Sequence, residues 1–189
     1  CVYDYFTTND VECIVYDFKE DLVGKPVKFY QYIKYALKYI PNHLKYNRKN
    51  RKCIETVAKI LKERNVEIVH INNTVMSVGY GIAQILHAKC VWHLRGFMDL
   101  DFGWMPLKGW KKYKGMVSKA DAVIGVTKTV LEHYIPLENK NAYAIPDAVR
   151  SKDDTCLVMP KKKYFLFCAG FLTERKGCAY AISAFAKSG

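Results

Sequence analysis

Short apolar runs alternate with helical patterns along the middle of the chain, and this alternation constrains the fold more than any other feature. Residues 66–71 (VEIVHI), 89–94 (KCVWHL) and 122–126 (AVIGV) are short and mostly apolar, as expected of buried strands. The segments between them carry apolar residues at the three-and-four spacing of amphipathic helices. Strands that alternate with helices predict an α/β fold: a Rossmann-like, doubly wound parallel sheet that is covered on both faces.

The same patterns predict further elements on either side of this region. Thr127 should cap a short helix that ends at Tyr134, because a threonine hydroxyl can accept a hydrogen bond from an N–H group in the first helical turn. The other expected elements are strands at 11–18 and 142–145, and helices over 29–39, 53–61, 77–87 and 109–119.

The composition changes after Pro146, which indicates a domain boundary. Residues 149–163 carry many charges, a proline and three consecutive lysines, as expected of a linker. An apolar strand is expected at 164–168, followed by a helix. A single strand and helix cannot form a stable domain. We therefore expect residues 1–148 to form one Rossmann-like domain whose first strand is missing, and residues 164–189 to begin a second, truncated domain.

The charge and the cysteines limit the class of protein. Lysine and arginine number 30 against 18 acidic residues, a net charge of +12. This balance suits anionic partners such as phosphates, nucleic acid or an acidic membrane surface, although solubility alone would also explain it. The seven cysteines include no C-x-x-C pair and several lie in apolar runs, which favours buried, reduced thiols in a cytoplasmic protein. No apolar run approaches the ~20 residues that span a bilayer.

A glycine-flanked loop follows the expected strand at 164–168. It begins at Gly170, ends at Gly177 and carries Arg175 and Lys176. Backbone N–H groups at the start of the next helix could bind a phosphate, and the two cations would add to the attraction. An ordinary turn with two exposed basic residues is the alternative.

Polar side chains follow two of the expected strands. His93 and Arg95 lie where the strand at 89–94 ends, and Asn72 and Asn73 follow the strand at 66–71. Ligands of open α/β sheets bind outside the carboxyl ends of the strands. The histidine and arginine could bind an anionic acceptor, and the asparagines could orient a sugar hydroxyl. The alternatives are a histidine that only completes its strand and asparagines that only form a turn.

Six segments, in this order along the chain, resemble glycosyltransferase family 4, whose members are retaining enzymes with two Rossmann-like domains (the GT-B fold). The resemblance implies that a sugar passes from a nucleotide-sugar donor to a glycan or lipid-linked acceptor in surface polysaccharide or glycoconjugate synthesis. It implies no metal cofactor. The cysteines favour a cytoplasmic enzyme, and the basic, aromatic segment 108–119 could make peripheral contact with the inner face of an anionic membrane, or could only cover the sheet and present a solvated face. The segments are IVHINN (68–73), VWHLRG (91–96), ADAVIGVT (120–127), AIPDAV (144–149), FCAGFLTERKG (167–177) and AISAFA (181–186).

The resemblance also implies residue roles. His93 matches the family's active-site histidine, on the acceptor side near the transferred sugar. Lys176 matches the lysine that neutralises the donor diphosphate. Gly170 and Gly177 match the glycines that frame the donor loop, and Thr127 stands at the position of a family serine at a strand end. With the residues argued from the strand ends and the loop, we expect Arg175 on the donor side, and Asn72, Asn73, Arg95 and Thr127 on the acceptor side.

The chain departs from the family pattern at two points. Phe171 stands where the family has an arginine, so the diphosphate site lacks one cation unless Arg175 replaces it. The usual Pro-Asn-Gly reads Pro146-Asp147-Ala148 here. The family's Glu-x7-Glu segment, which grips the donor sugar and ribose, is expected beyond Gly189, so we expect the isolated chain to be inactive.

Two other interpretations remain open. Asp99 and Asp101 form a D-x-D motif, which binds a metal and the donor diphosphate in another glycosyltransferase class, but such pairs recur by chance and this one is expected in a loop. The second is a non-catalytic basic Rossmann-like module, suggested by the basic segments 45–52 and 108–119, that binds an anionic membrane or nucleic acid. Aromatic residues at core spacing argue against nucleic acid.

Overall fold

The structure is a computed structural model, and it describes residues 2–9, 11–26, 28–136, 138–148 and 176–187. The chain divides into two units, Cys1–Asp147 and Ala148–Gly189. The expected linker at 149–163 and the expected strand at 164–168 lie outside the described residues. Within the second unit, the described part is a helix with the short turn that precedes it.

A parallel sheet forms the centre of the first unit. Its four strands are β2 (Ile68–Ile71), β3 (Lys89–Leu94), β5 (Ala122–Gly125) and β6 (Ala142–Ala144), and they lie side by side in that order. Every pairing between them is parallel. The predicted mixed α/β fold with a parallel sheet is therefore confirmed, and the carboxyl ends of the four strands meet at one edge.

Helices connect these strands as the sequence patterns predict. Thr127 caps α6, the helix Lys128–Tyr134, since its hydroxyl accepts a hydrogen bond from the Val130 N–H at 3.2 Å. The predicted cap is thus confirmed. The helices are α1 (Val2–Thr8), α2 (Phe29–Lys62), α3 (Val78–Leu86), α4 (Met98–Phe102), α5 (Trp110–Val117), α6 (Lys128–Tyr134) and α7 (Cys178–Lys187).

One face of the sheet is buried in the core. Trp92 and Leu94 of β3 and Val123 of β5 have no exposed surface, and they pack in one cluster with Tyr113 of α5 and Tyr134 of α6. Fully burying a large apolar side chain stabilises a fold by about 1.5–3 kcal/mol relative to leaving it exposed. This face therefore holds the sheet against α5 and α6.

The other face of the sheet is only partly covered. Side chains alternate between the two faces of a strand, so Val91 and His93 lie opposite to the buried Trp92, and both are half-buried. Ile68 on the adjacent strand β2 and Tyr143 on the edge strand β6 are largely exposed. Among the described residues, the expected cover on both faces is incomplete, because the long helix α2 packs mainly against α3 rather than against the strands.

Two glycines set the distances between α3 and its neighbours. A Cβ atom at Gly79 would lie 2.6 Å from Cγ1 of Ile71 on β2, and one at Gly81 would lie 2.6 Å from Cδ1 of Ile54 on α2. Both distances are shorter than real Cβ contacts. These two glycines therefore allow α3 to pack closely against β2 and α2.

A two-stranded antiparallel sheet was not predicted from the sequence. It pairs β1 (Leu22–Gly24) with β4 (Trp104–Pro106), and hydrogen bonds between flanking backbone groups extend it at both ends. Asp21, which precedes β1, is buried. Burial raises the pKa of its carboxyl group, against the opposing effect of the Lys108 charge. The pairing of β1 with β4 ties the N-terminal segment to the segment that follows α4.

The predicted strand at 11–18 is wrong, because these residues form neither helix nor strand. Side-chain contacts with α2, and with Arg64 just beyond its end, replace strand pairing. Glu12 and Asp17 form ion pairs with Arg64 and Lys49, and the Tyr16 hydroxyl lies 3.4 Å from the Thr56 hydroxyl. Val11, Ile14 and Val15, the apolar residues that suggested a strand, are exposed, and within the described part of the chain no strand pairs with this segment.

The two helices expected at 29–39 and 53–61 are one continuous helix, α2, which passes through Pro41. Proline removes one backbone hydrogen bond but does not always end a helix. Despite this length, no helix in the ranges that the structure describes is apolar enough to cross a membrane.

Of the four described cysteines, two are buried and two, Cys13 and Cys178, are only partly buried. Cys53 and Cys90 are buried and, like Cys13 and Cys178, form no disulfide. Burial raises the pKa of Cys90 to about 11, so this thiol stays protonated near neutral pH.

Candidate functional site

His93 lies one residue before the carboxyl end of β3, on the partly covered face of the sheet. Its ring stacks on that of His70 from β2, with centroids 5.7 Å apart and planes 9° from parallel. The Nε2 atom of His93 is buried and has no hydrogen-bond partner among the described residues. Because buried polar atoms are nearly always hydrogen-bonded, this nitrogen is a candidate for contact with a ligand.

The surroundings of His93 favour its neutral form. Desolvation lowers its pKa from the ordinary 6.5, and the charges of Arg95 and His70 lower it further, while Asp147 has the opposite effect. A neutral imidazole offers one donor and one acceptor nitrogen. Near neutral pH, His93 can therefore hydrogen-bond a sugar hydroxyl without carrying a charge.

Arg95 forms an ion pair at the same edge of the sheet. Its Nη2 atom lies 2.9 Å from Oδ2 of Asp147, which follows β6. Both side chains are partly exposed, so solvent weakens this contact. Arg95, the predicted acceptor-binding residue, thus lies two residues after His93, and its charge lowers the pKa of that histidine. Its own partner is the Asp147 carboxylate.

Thr74 connects the loops that follow β2 and β3, and it was missed in the sequence. Its hydroxyl accepts a hydrogen bond from the Arg95 N–H at 2.9 Å and lies 3.2 Å from the Gly96 carbonyl oxygen, to which it donates. The Tyr113 hydroxyl donates to the Thr74 carbonyl. Thr74 is buried, so it fixes the backbone from which the Arg95 side chain extends.

Asn73 and Thr127 lie at the predicted edge of the sheet, but both use their side chains locally. The Asn73 Oδ1 atom accepts from the Val75 N–H at 3.1 Å, and its carbonyl accepts from the Trp92 indole at the same distance. This is the turn chemistry that was the alternative to sugar binding. The Thr127 hydroxyl caps α6. Asn72 is exposed beside them.

The predicted donor loop lies largely outside the described residues, and Gly170 and Arg175 fall there. Lys176 is exposed immediately before α7, and Gly177 has a φ of +69°. That left-handed backbone strongly favours glycine. The Gly177 carbonyl accepts from the Ala181 N–H at 2.9 Å, in the first turn of the helix.

The D-x-D motif lies in helix α4 and not in the expected loop. Asp99 Oδ1 contacts Nε2 of His133 at 2.9 Å, and Asp101 Oδ2 accepts from the Phe97 N–H at 3.0 Å. The two carboxylates therefore stabilise α4 and its contact with α6. Within the described ranges, no group of three or more side chains is arranged to hold a metal ion.

Comparisons of the chain with protein-family models, with curated proteins and with solved structures find no match.

Proposed function

We propose that this chain belongs to a GT-B glycosyltransferase similar to family 4, and that the unit Cys1–Asp147 forms its acceptor side. The enzyme would transfer a sugar from a nucleotide-sugar donor to a glycan or lipid-linked acceptor. The observation that carries the proposal is the buried Nε2 atom of His93, which lies at the carboxyl edge of a parallel sheet and has no hydrogen-bond partner in the part of the chain that the structure describes. Open α/β sheets bind their ligands at this edge.

The polar groups around His93 suit a sugar hydroxyl better than a purely anionic ligand. The neutral His93 ring can donate a hydrogen bond to a hydroxyl group or accept one from it. Arg95 and Asp147 add donors and acceptors that remain partly solvated. A strongly bound anion would require cations without a carboxylate partner, whereas Arg95 already contacts Asp147.

Lys176 would serve the leaving group of the same reaction. Negative charge grows on the nucleoside diphosphate as the glycosidic bond breaks, and a fixed cation stabilises it without a metal ion. Lys176 is exposed at the start of α7, whose first N–H groups add a partial positive charge. Gly177 permits the backbone turn between them.

The donor side is tested with the complete gene product, by titration calorimetry with a panel of uridine and guanosine diphosphate sugars. Lys176→Ala should weaken binding of the active donor about tenfold, the usual effect of one charged hydrogen bond to phosphate. Lys187→Ala, at the other end of α7, is the matched control and should leave the affinity unchanged. If no sugar nucleotide binds the complete protein, the proposal is wrong.

The acceptor side is tested by measuring sugar transfer from that donor to extracted lipids and glycans. His93→Ala should lower turnover by about a hundredfold or more, within the range for a group that acts on the reacting atoms. His43→Ala on α2 is the control for loss of an imidazole elsewhere. Equal turnover in the two variants would show that His93 does not act in the proposed reaction.

A further inference from the structure

The N-terminal half of α2 carries a row of exposed apolar side chains. Five large residues follow one another at three-and-four spacing, which places them along one side of the helix. Their side chains are between 49% and 81% exposed. Contiguous exposed apolar surface of this kind marks a binding surface. We name this set the α2 apolar row, and its members are Phe29, Ile33, Leu37, Ile40 and Leu44.

The α2 apolar row is not an extension of the side of α2 that packs on the domain. Leu44 is 64% exposed, whereas Tyr46 is 2% exposed and lies about 200° further around the helix. The Tyr46 hydroxyl lies 2.7 Å from that of Ser77, and Asn50 hydrogen-bonds to the backbone of Lys19. The domain side of α2 is thus occupied, and the row faces away from it.

The charges along this half of the helix have one sign. No acidic residue occurs between Phe29 and Ile54. Lys34, Lys38 and Lys45 are exposed and lie along a second side of the helix, next to the apolar row. An apolar side bordered by lysines, with exposed tyrosines, is typical of helices that lie in the interface of an anionic bilayer.

We propose that α2 docks the protein on an anionic membrane, with the α2 apolar row inserted at the boundary between headgroups and acyl chains. Lys34, Lys38 and Lys45 then lie against lipid phosphates, each adding to the attraction while within a Debye length of the surface. A second copy of the chain fits this surface less well, since pairing two such rows would bring lysines of like charge together.

Helix α5 is also basic and aromatic, but it fits a membrane less well. Tyr113 and Val117, the apolar residues that would insert, are buried in the core, and Trp110 is half-buried. Its lysines therefore lack an exposed apolar side beside them. The segment 108–119 therefore packs its apolar residues into the core and presents its lysines to solvent.

The first test measures co-sedimentation of the chain with vesicles that contain equal amounts of phosphatidylcholine and phosphatidylglycerol. Leu37→Gln with Ile40→Gln should reduce binding roughly tenfold or more, because buried apolar area drives insertion. The matched control combines Leu100→Gln with Ile182→Gln, two exposed apolar residues on other helices, and should bind as the unmodified chain does. Circular dichroism establishes that each variant is folded.

The second test separates α2 from α5 by charge reversal. Lys34→Glu with Lys38→Glu should lower binding to the same vesicles by tenfold or more and reduce its dependence on salt. Lys111→Glu with Lys119→Glu, the corresponding change on α5 and just beyond its end, should have a much smaller effect. A larger loss from the α5 variant would overturn the proposal.

Three other results would also overturn it. These are failure to bind the anionic vesicles, equal binding to vesicles of phosphatidylcholine alone, and a self-association that disappears in the Leu37→Gln, Ile40→Gln variant while vesicle binding persists. The last result would identify the α2 apolar row as a contact between copies of the chain. Vesicle binding requires no nucleotide sugar, so its outcome is independent of the transferase proposal.

Discussion

Arg95 and Asp147 join the loops that follow β3 and β6, through a contact of 2.9 Å between Nη2 and Oδ2. Strand β5 lies between these two strands, so the pair spans two strand spacings, about 10 Å. The long arginine side chain makes this possible. Since the two side chains are 42% and 47% exposed, solvent screens the pair, and its main effect is to hold Arg95 near His93 rather than to stabilise the fold.

This interpretation predicts a small coupling between the two residues. In a double-mutant cycle of Arg95→Gln and Asp147→Asn, the coupling in the free energy of unfolding should be about 0–1 kcal/mol and should fall as salt is added. Urea unfolding followed by circular dichroism measures it. A salt-independent coupling above about 2 kcal/mol would show instead that the pair is effectively buried.

Alanine should have opposite effects at two helical glycines. Gly79 lies where α3 closely approaches β2, whereas Gly115 on α5 has open space around it. Gly79→Ala should destabilise the fold by about 1–3 kcal/mol, because its Cβ would overlap the buried Ile71 side chain and the strand cannot move away freely. Gly115→Ala on α5 places its Cβ in open space and should stabilise the helix by about 0.5–1 kcal/mol. Chemical unfolding of both variants under one set of conditions tests the difference.

Each of these two glycine variants also has a result that counts against the packing argument. Stability of Gly79→Ala equal to or above that of the unmodified chain would mean that Ile71 repacks at no cost. A loss at Gly115 comparable to that at Gly79 would mean that glycine is needed for its backbone at both sites, and not for the space around one of them.

Elements with strong local patterns were predictable from the sequence. Strand β3 has the predicted limits, and the Thr127 cap of α6 forms as expected, because both depend on residues that are neighbours in the chain. The β1–β4 pair was not predictable. Each of its strands has three residues, and the register that sets Leu22 opposite Pro106 joins segments far apart in sequence. The segment at 11–18 failed for the related reason that a strand requires a partner.

In the candidate site, too, some features follow from local sequence and others depend on residues that are distant in the chain. The positions of His93 and Arg95 follow from the end of β3, which the pattern predicts. The stacking of His70 on His93 depends on the register between β2 and β3, which places His70 opposite Val91. The role of Thr74 depends on how two loops meet. Such contacts carry no signal in a single sequence because they involve residues about twenty positions apart.

The lowered pKa of His93 predicts a pH dependence of stability. In the unfolded chain the imidazole titrates at about 6.5, whereas the folded environment lowers its pKa, so on acidification the unfolded state binds a proton first. The contribution is fully present above about pH 6.5 and is lost as the pH falls through the folded pKa. The free energy of unfolding should therefore decrease from about pH 7.5 to about pH 5, and His93→Gln should decrease less.

The charge of Arg95 should appear in the titration of His93 itself. Proton NMR of the imidazole measures the pKa directly, and Arg95→Gln should raise it because one of the charges that disfavours the imidazolium is removed. Lys140→Gln removes an exposed cation elsewhere in the same unit and is the matched control, with no change expected. Since desolvation is the larger cause, the pKa in Arg95→Gln should remain below the ordinary value. A value at or above about 6.5 in the unmodified chain would contradict the neutral imidazole on which the proposed sugar contact depends.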